Sequence, residues 1–351
     1  MGVSLLRKVF KELDVYSGIA IIFVVLIHAN AYYLTSVLNL RTYAESGFFL
    51  TTIDQIIHGA VPMFIFISGF KFNLSKTKHY NYRTFAKSRL LRVLVPFIVI
   101  SVFFILFNNL KGSTFDVVSL TAIMTNIVDD FIMIFYGFNY VYPLWYIPMY
   151  LLVILIYPLI NKYIKSQKLR FIIFGLSSLL YVVISNSNIF LGIYSNLVSS
   201  LYYFIYFELG FFVASNKWDK NKQLLLLLVY LGVLLISIFT AHSLFGTILT
   251  DLVLYPISVC FFYYLSLYLK ESQLLKKIGK YSFHIFLFHE PIFTFELGKF
   301  LHNQNLYNGY YITLLIVLVS IILCMAFSKK LEITGFSRFI FLRNRNTIKK
   351  Y

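Results

Sequence analysis

The residues best suited to chemistry are a few ionisable side chains inside otherwise apolar stretches. The stretch "DVYSGIAIIFVVLIHAN" at 14–30 begins with Asp14 and carries His28 near its far end. A neutral imidazole can take a proton from a hydroxyl group, so His28 is a candidate general base. In hydrocarbon an imidazole is costly without a protein or water partner, and the alternative is a histidine hydrogen-bonded to a neighbouring helix.

Two further pairs of ionisable residues have spacings that suggest a polar cavity. Asp54 and His58 are four residues apart and share one helical face. They could form an acid–imidazole pair like those of acyl-transfer sites, or a hydrogen-bonded pair at the membrane interface. His289 and Glu290 directly precede Pro291, which interrupts a helix, and broken helices in membranes line protein or wet cavities.

An acidic residue inside an apolar stretch and a pair of arginines also need an explanation. Glu208, in "YFIYFELGFF", has no cation nearby in the sequence and is either protonated or paired across helices. Arg89 and Arg92 lie one helical turn apart, and two guanidiniums on one face suit phosphate groups. The alternative for the arginines is ordinary anchoring to lipid phosphates.

Composition defines the class of protein. The chain has 351 residues, of which 59% are hydrophobic and only 13% are charged, whereas soluble domains are about 45–50% apolar and about 25% charged. The sequence therefore predicts an all-α, polytopic integral membrane protein with a single domain over 1–351. The net charge of +17 does not indicate nucleic-acid binding, because the basic residues form short clusters between apolar stretches.

Spans need roughly 17–25 apolar residues. We predict ten, near 15–35, 52–72, 90–108, 144–161, 170–188, 198–216, 223–241, 247–268, 281–298 and 309–328.

The distribution of basic residues predicts the orientation of these spans. With both termini in the cytoplasm, the inner side holds all of the 31 lysines and arginines except Arg41, Lys111 and Lys299. The stretch 115–138 would reverse every later loop if it also spanned, so we predict an interfacial or re-entrant element on the outer face. His28 then lies in the outer half of the first span, roughly 21 Å along the helix from Asp14.

The two cysteines, Cys260 and Cys324, both fall inside apolar runs. They provide neither a disulfide framework nor the spacing of metal ligands. We therefore expect no metal site and no bound cofactor.

Four stretches, in a fixed order, resemble the acyltransferase-3 family of membrane-bound acyltransferases. They are "LDVYSGIAIIFVVLIH" (13–28), "VPMFIFISGF" (61–70), "RLLRVLVPF" (89–97) and "IGKYSFHIFLFHEPIF" (278–293), and "PLWYIPMYLL" (143–152) adds weaker support. The family includes O-acetyltransferases of bacterial surface polysaccharides and peptidoglycan.

The resemblance implies transfer of an acyl group, such as acetyl, from cytoplasmic acyl-CoA to a hydroxyl group of a cell-envelope glycan. His28 and Asp14 would be the catalytic residues, and Arg89 and Arg92 would face the phosphates of the donor. The implied location is the bacterial plasma membrane, which the chain would cross several times.

One position departs from the family pattern. The family commonly has an arginine eleven residues before the histidine of the first span, and this chain has Ser17 there. Serine carries no positive charge, so Arg89 and Arg92, or Lys11, would bind the donor alone.

Two other functions agree with the same composition. One is a flippase or exporter of a lipid-linked or polymeric sugar, without acyl chemistry. The other is a non-catalytic membrane partner of glycan-synthesis proteins. For the acyltransferase the expected partners are acyl-CoA, the envelope glycan and membrane lipids, with no nucleic acid.

Overall fold

The computed structural model describes residues 2–40, 43–76, 81–112, 144–187, 195–216, 218–241 and 243–333. Fifteen α-helices lie in these ranges: α1 Gly2–Tyr32, α2 Phe48–Ile57, α3 Ala60–Lys76, α4 Tyr82–Arg89, α5 Val95–Gly112, α6 Tyr146–Tyr163, α7 Gln167–Ser185, α8 Ser195–Ser215, α9 Lys220–Thr240, α10 Leu244–Leu249, α11 Tyr255–Tyr268, α12 Gln273–Lys280, α13 Ser282–Phe288, α14 Phe295–Asn303 and α15 Tyr310–Ile333. The described residues contain no β-strand, which confirms the all-α prediction.

Eight helical stretches are long and apolar enough to cross a membrane. They are Lys11–Val37, Phe48–Ser75, Tyr146–Tyr163, Gln167–Ser185, Leu197–Ser215, Lys220–Thr240, Leu244–Tyr268 and Tyr310–Glu332. The other two predicted spans, 90–108 and 281–298, are helical as well. The count of ten and the cytoplasmic termini stay predictions, and the predicted element at 115–138 lies outside the described residues.

Helix α1 lies at the centre of the bundle and contacts α2, α3, α11, α12, α13 and α15. In the first span, Lys11–Val37, 67% of the 18 most apolar consecutive residues are buried inside the protein. The corresponding fraction is only 22% in Gln167–Ser185 and in Lys220–Thr240. The two poorly buried helices expose leucine and isoleucine side chains, as lipid-facing helices do. The first span is therefore surrounded by protein, where polar groups can find partners.

Glycines allow the closest helix contacts. A Cβ atom on Gly279 of α12 would come within 1.7 Å of the Asp14 carbonyl oxygen, and one on Gly18 within 2.4 Å of the Leu275 carbonyl oxygen. Small residues let helix backbones approach in this way in membranes. The contact holds α12 against α1 at the level of Asp14 and Gly18, on the predicted cytoplasmic side.

Four π-helical turns interrupt the helices, at Tyr33–Val37, Leu90–Leu94, Thr250–Leu254 and His289–Thr294. Such turns displace side chains from the regular helical register and are frequent at functional sites. Two of the four carry residues that the sequence analysis singled out, Arg92 and the His289–Glu290 pair, and a third carries Asp251.

Candidate functional site

The first span and the last π-helical turn bring two candidate residues together. His28 Nδ1 lies 3.1 Å from Glu290 Oε2, and both side chains are largely buried. The rings of His28 and His289 are 5.0 Å apart between centroids. By distance the two side chains can form an ion pair, and a carboxylate this close stabilises the imidazole when it is protonated.

His289 is held by the backbone of its own helix. Its Nδ1 lies 2.9 Å from the carbonyl oxygens of both Ile285 and Phe286. A carbonyl oxygen only accepts, so Nδ1 carries the proton and Nε2 carries the lone pair. Pro291 has no N–H to donate to the preceding turn, and the imidazole of His289 satisfies carbonyls there.

Asp54 and His58 form the pair that their spacing predicts. His58 Nδ1 lies 2.6 Å from Asp54 Oδ1, and the His58 side chain is 38% exposed. Both Asp251 and His28 are close enough to His58 to interact with it electrostatically. We call His28, Asp54, His58, Asp251, His289 and Glu290 the outer polar cluster.

Three members of this cluster could hold a metal ion. His28, His289 and Glu290 present ligand atoms that all lie within 4.8 Å of one another. The hydrogen bonds of His289 Nδ1 to backbone carbonyls are also typical of metal-bound histidines. The expectation of no metal site rested on the spacing of the two cysteines. That spacing carries no information about a site made of two histidines and a glutamate.

Asp14 lies at the other end of α1, away from His28. It is close enough to Lys71, Lys276 and Lys280 to interact with them electrostatically. Lys71 interacts in the same way with Arg89. We call Lys71, Arg89, Lys276 and Lys280 the inner basic cluster.

Ser17 is buried one turn above Asp14, and its Oγ donates to the carbonyl of Leu13 at 2.8 Å. The hydroxyl group is thus satisfied within its own helix. Lysines of α3 and α12 supply positive charge at the level where the family commonly has an arginine.

Arg89 ends α4 and Arg92 lies in the π-helical turn before α5, on the predicted cytoplasmic side. The Arg89 guanidinium lies over the Phe85 ring, 5.4 Å from its centroid, and the Arg92 side chain is exposed. A nearby open groove of about 370 Å³ is lined instead by Arg83, Thr84, Lys87, Ser88 and Leu91.

One comparison with known proteins identifies the chain. A family model described as an acyltransferase domain matches residues 10–329. The protein belongs to the acyltransferase-3 family. No curated protein and no solved structure matches it. The protein is therefore a membrane acyltransferase that crosses the bilayer several times, and the family resemblance of the four motifs is confirmed.

Glu208 is not part of the outer polar cluster of this acyltransferase. Its carboxylate accepts from Arg170 at 2.8 and 3.0 Å, and from the Tyr157 hydroxyl at 2.5 Å. Both Glu208 and Arg170 are almost completely buried. Of the two sequence interpretations, the structure shows pairing across helices.

Two residues of the acyltransferase had only weak sequence signals. Asp251 is an acid within an apolar span, a signal that marks it as unusual but names no partner. Lys71 directly follows the "SGF" motif and reads as one of many inner-side lysines. The contacts that suggest a role for each residue are with neighbours that are distant in the sequence.

Proposed function

We propose that the protein transfers an acyl group, such as acetyl, from acyl-CoA on the cytoplasmic side to a hydroxyl group of an envelope glycan on the outer side of a bacterial plasma membrane. The observation that carries this proposal is the pairing of His28 with Glu290 in a cluster on the predicted outer half of α1. Membership of the acyltransferase-3 family favours this function over a sugar exporter.

The donor is bound at the inner end in this proposal. Four cations of the inner basic cluster can contact the phosphates of CoA, although Ser17 carries no charge. Arg89 supplies the planar guanidinium and the lysines supply point charges. Asp14 keeps these cations in place and does not contact the reacting atoms.

The chemical step takes place at the outer polar cluster. Glu290 orients His28 through Nδ1, and Nε2 of His28 removes the proton from the acceptor hydroxyl. The hydroxyl oxygen attacks the thioester carbonyl, the carbon–sulfur bond breaks, and the proton passes from His28 to the leaving CoA thiolate. Ester and free CoA are the products, so that atoms and charge balance.

His28→Ala tests the proposal in full-length protein reconstituted with acyl-CoA and a glycan acceptor. We expect the rate of acyl transfer to fall about 10²- to 10⁴-fold, measured by mass analysis of the glycan and by release of the CoA thiol. His284→Ala, a buried histidine on α13, is the matched control. An unchanged rate in a folded His28→Ala protein would contradict the assignment.

A further inference from the structure

The outer polar cluster contains three carboxyl groups and three imidazoles. The carboxyl groups are those of Asp54, Asp251 and Glu290, and the imidazoles are those of His28, His58 and His289. Within the described ranges, no lysine or arginine forms an ion pair with any of the three acids. An added anion would therefore find no paired lysine or arginine of the described ranges beside these carboxyl groups, whereas hydroxyl and ammonium donors can meet the carboxyl oxygens.

Asp251 is held in place by its backbone rather than by its carboxylate. The Tyr202 hydroxyl donates to the Asp251 carbonyl oxygen at 3.0 Å, and the Tyr206 hydroxyl donates to the Tyr202 hydroxyl at 2.6 Å. The neighbouring Thr250 hydroxyl donates to Gln55 at 3.1 Å, which ties this turn to α2. In the part of the chain that is described, no hydrogen bond occupies the partly exposed Asp251 carboxylate.

The surroundings of the Asp251 carboxylate suit the binding of hydroxyl groups of a ligand. Carboxylates only accept hydrogen bonds, and the hydroxyl groups of a sugar can donate them. Tyr255 and the tyrosines of α8 lie close to Asp251 and add aromatic surface. A phosphate or carboxylate group offers no such donor and would instead be placed against the Asp251 carboxyl group.

The inner end of the molecule has the opposite character. Lys71, Lys276 and Lys280 lie close to Asp14, Lys71 also lies close to Arg89, and Lys276 is 3.9 Å from Glu271. The two ends thus discriminate charge in opposite directions: anions are favoured at the inner end and excluded at the outer end.

We infer that the acyl acceptor is a sugar without phosphate or carboxylate groups near the acylated hydroxyl, and that Asp251 and the Asp54–His58 pair form its binding subsite. This inference rests on the proposed function. Asp251 accepts hydroxyl or ammonium donors of the sugar, and His58 is close enough to interact electrostatically with both Asp251 and His28.

The test uses the full-length protein, acyl-CoA and three matched acceptors: a neutral oligosaccharide, its uronic acid counterpart and its amino-sugar counterpart. We expect kcat/KM for the neutral and amino sugars to exceed that for the uronic acid by about tenfold or more. Asp251→Asn should lower kcat/KM for the neutral sugar and reduce this discrimination. Glu45→Gln, which removes an exposed acid outside the cluster, should leave the ratio unchanged.

The outcomes separate the two proposals. Equal kcat/KM for the neutral sugar and the uronic acid, or an Asp251→Asn protein with the original ratio, would overturn the inference on the acceptor and leave acyl transfer intact. If none of the three sugars is acylated and no CoA is released, the proposed function itself fails.

Discussion

His28 and Glu290 meet across α1 and a π-helical turn, with 3.1 Å between Nδ1 and Oε2. This contact joins the first and the last of the four family motifs. It also gives the imidazole a carboxylate partner, which a general base in a membrane needs if it is to be protonated during turnover.

Glu290→Gln should lower kcat by about 10²-fold, because an amide cannot stabilise protonated His28 as a carboxylate does. Donor KM should stay close to the wild-type value, since the inner basic cluster is untouched. Steady-state kinetics with varied acyl-CoA separate the two constants. Glu296→Gln, on the same segment, is the control, and an equal loss there would assign the effect to general disruption.

Lys71→Gln should raise the KM for acyl-CoA about tenfold and leave kcat nearly unchanged, because Lys71 contributes to donor binding only. The apparent affinity of the wild type should weaken only modestly at high salt, because Lys280 is exposed but Lys276 is buried, and buried charges are screened less. Lys299→Gln, which removes an exposed cation from α14, is the matched control. Donor binding that is insensitive to Lys71→Gln would exclude this lysine from the donor site.

Arg170→Ala should destabilise the fold by about 3–5 kcal/mol, because it leaves the Glu208 carboxylate buried without its cation. Thermal unfolding in detergent measures this change. Lys168→Ala, an exposed cation on the same helix, should have little effect. Since Glu208 lies outside the outer polar cluster, the folded fraction of the Arg170→Ala protein should retain its turnover rate; a selective loss of turnover would give Glu208 a functional role.

Gly279→Ala should cost about 2 kcal/mol or more, because the added Cβ would meet the Asp14 carbonyl at 1.7 Å. Gly232→Ala is the control, since nothing lies within 4 Å of its Cβ and alanine favours a helix by about 1 kcal/mol. The melting temperatures of the two variants should therefore move in opposite directions. A neutral Gly279→Ala variant would mean that α12 does not pack this closely on α1.

Zinc should inhibit the acyltransferase, because His28, His289 and Glu290 offer three ligand atoms within 4.8 Å and metal binding would occupy the proposed base. Chelator alone should not change the rate, since the proposed step uses no metal. His289→Ala should raise the inhibitory zinc concentration about tenfold. If chelator abolishes activity and zinc restores it, the cluster is a metal site and His28 is not the base.

Local features of the sequence predicted the class of fold and the elements of the site. A membrane span must satisfy its backbone hydrogen bonds within itself, so apolar runs of sufficient length predicted helices at the observed positions. The i, i+4 spacing predicted the Asp54–His58 contact, because side chains four residues apart lie on the same face of one helix.

The partners of the other buried groups could not be predicted in this way. Glu208 of α8 pairs with Arg170 of α7. His58, which follows α2, interacts with Asp251 in the π-helical turn before α11. Such pairs depend on which helices pack together and how they are rotated, and the spacing of residues along one helix carries no information about either.

The sequence by itself determined a helical membrane protein, its charge asymmetry and His28 as a candidate base, since these depend on composition and on motifs within single segments. Only the tertiary structure decided that His28 faces Glu290 and that lysines surround Asp14 beneath Ser17. The physical reason is that electrostatic partners inside a bundle are fixed by helix packing, here by the close contact of Gly18 and Gly279 at one end and the π-helical turn at Glu290 at the other.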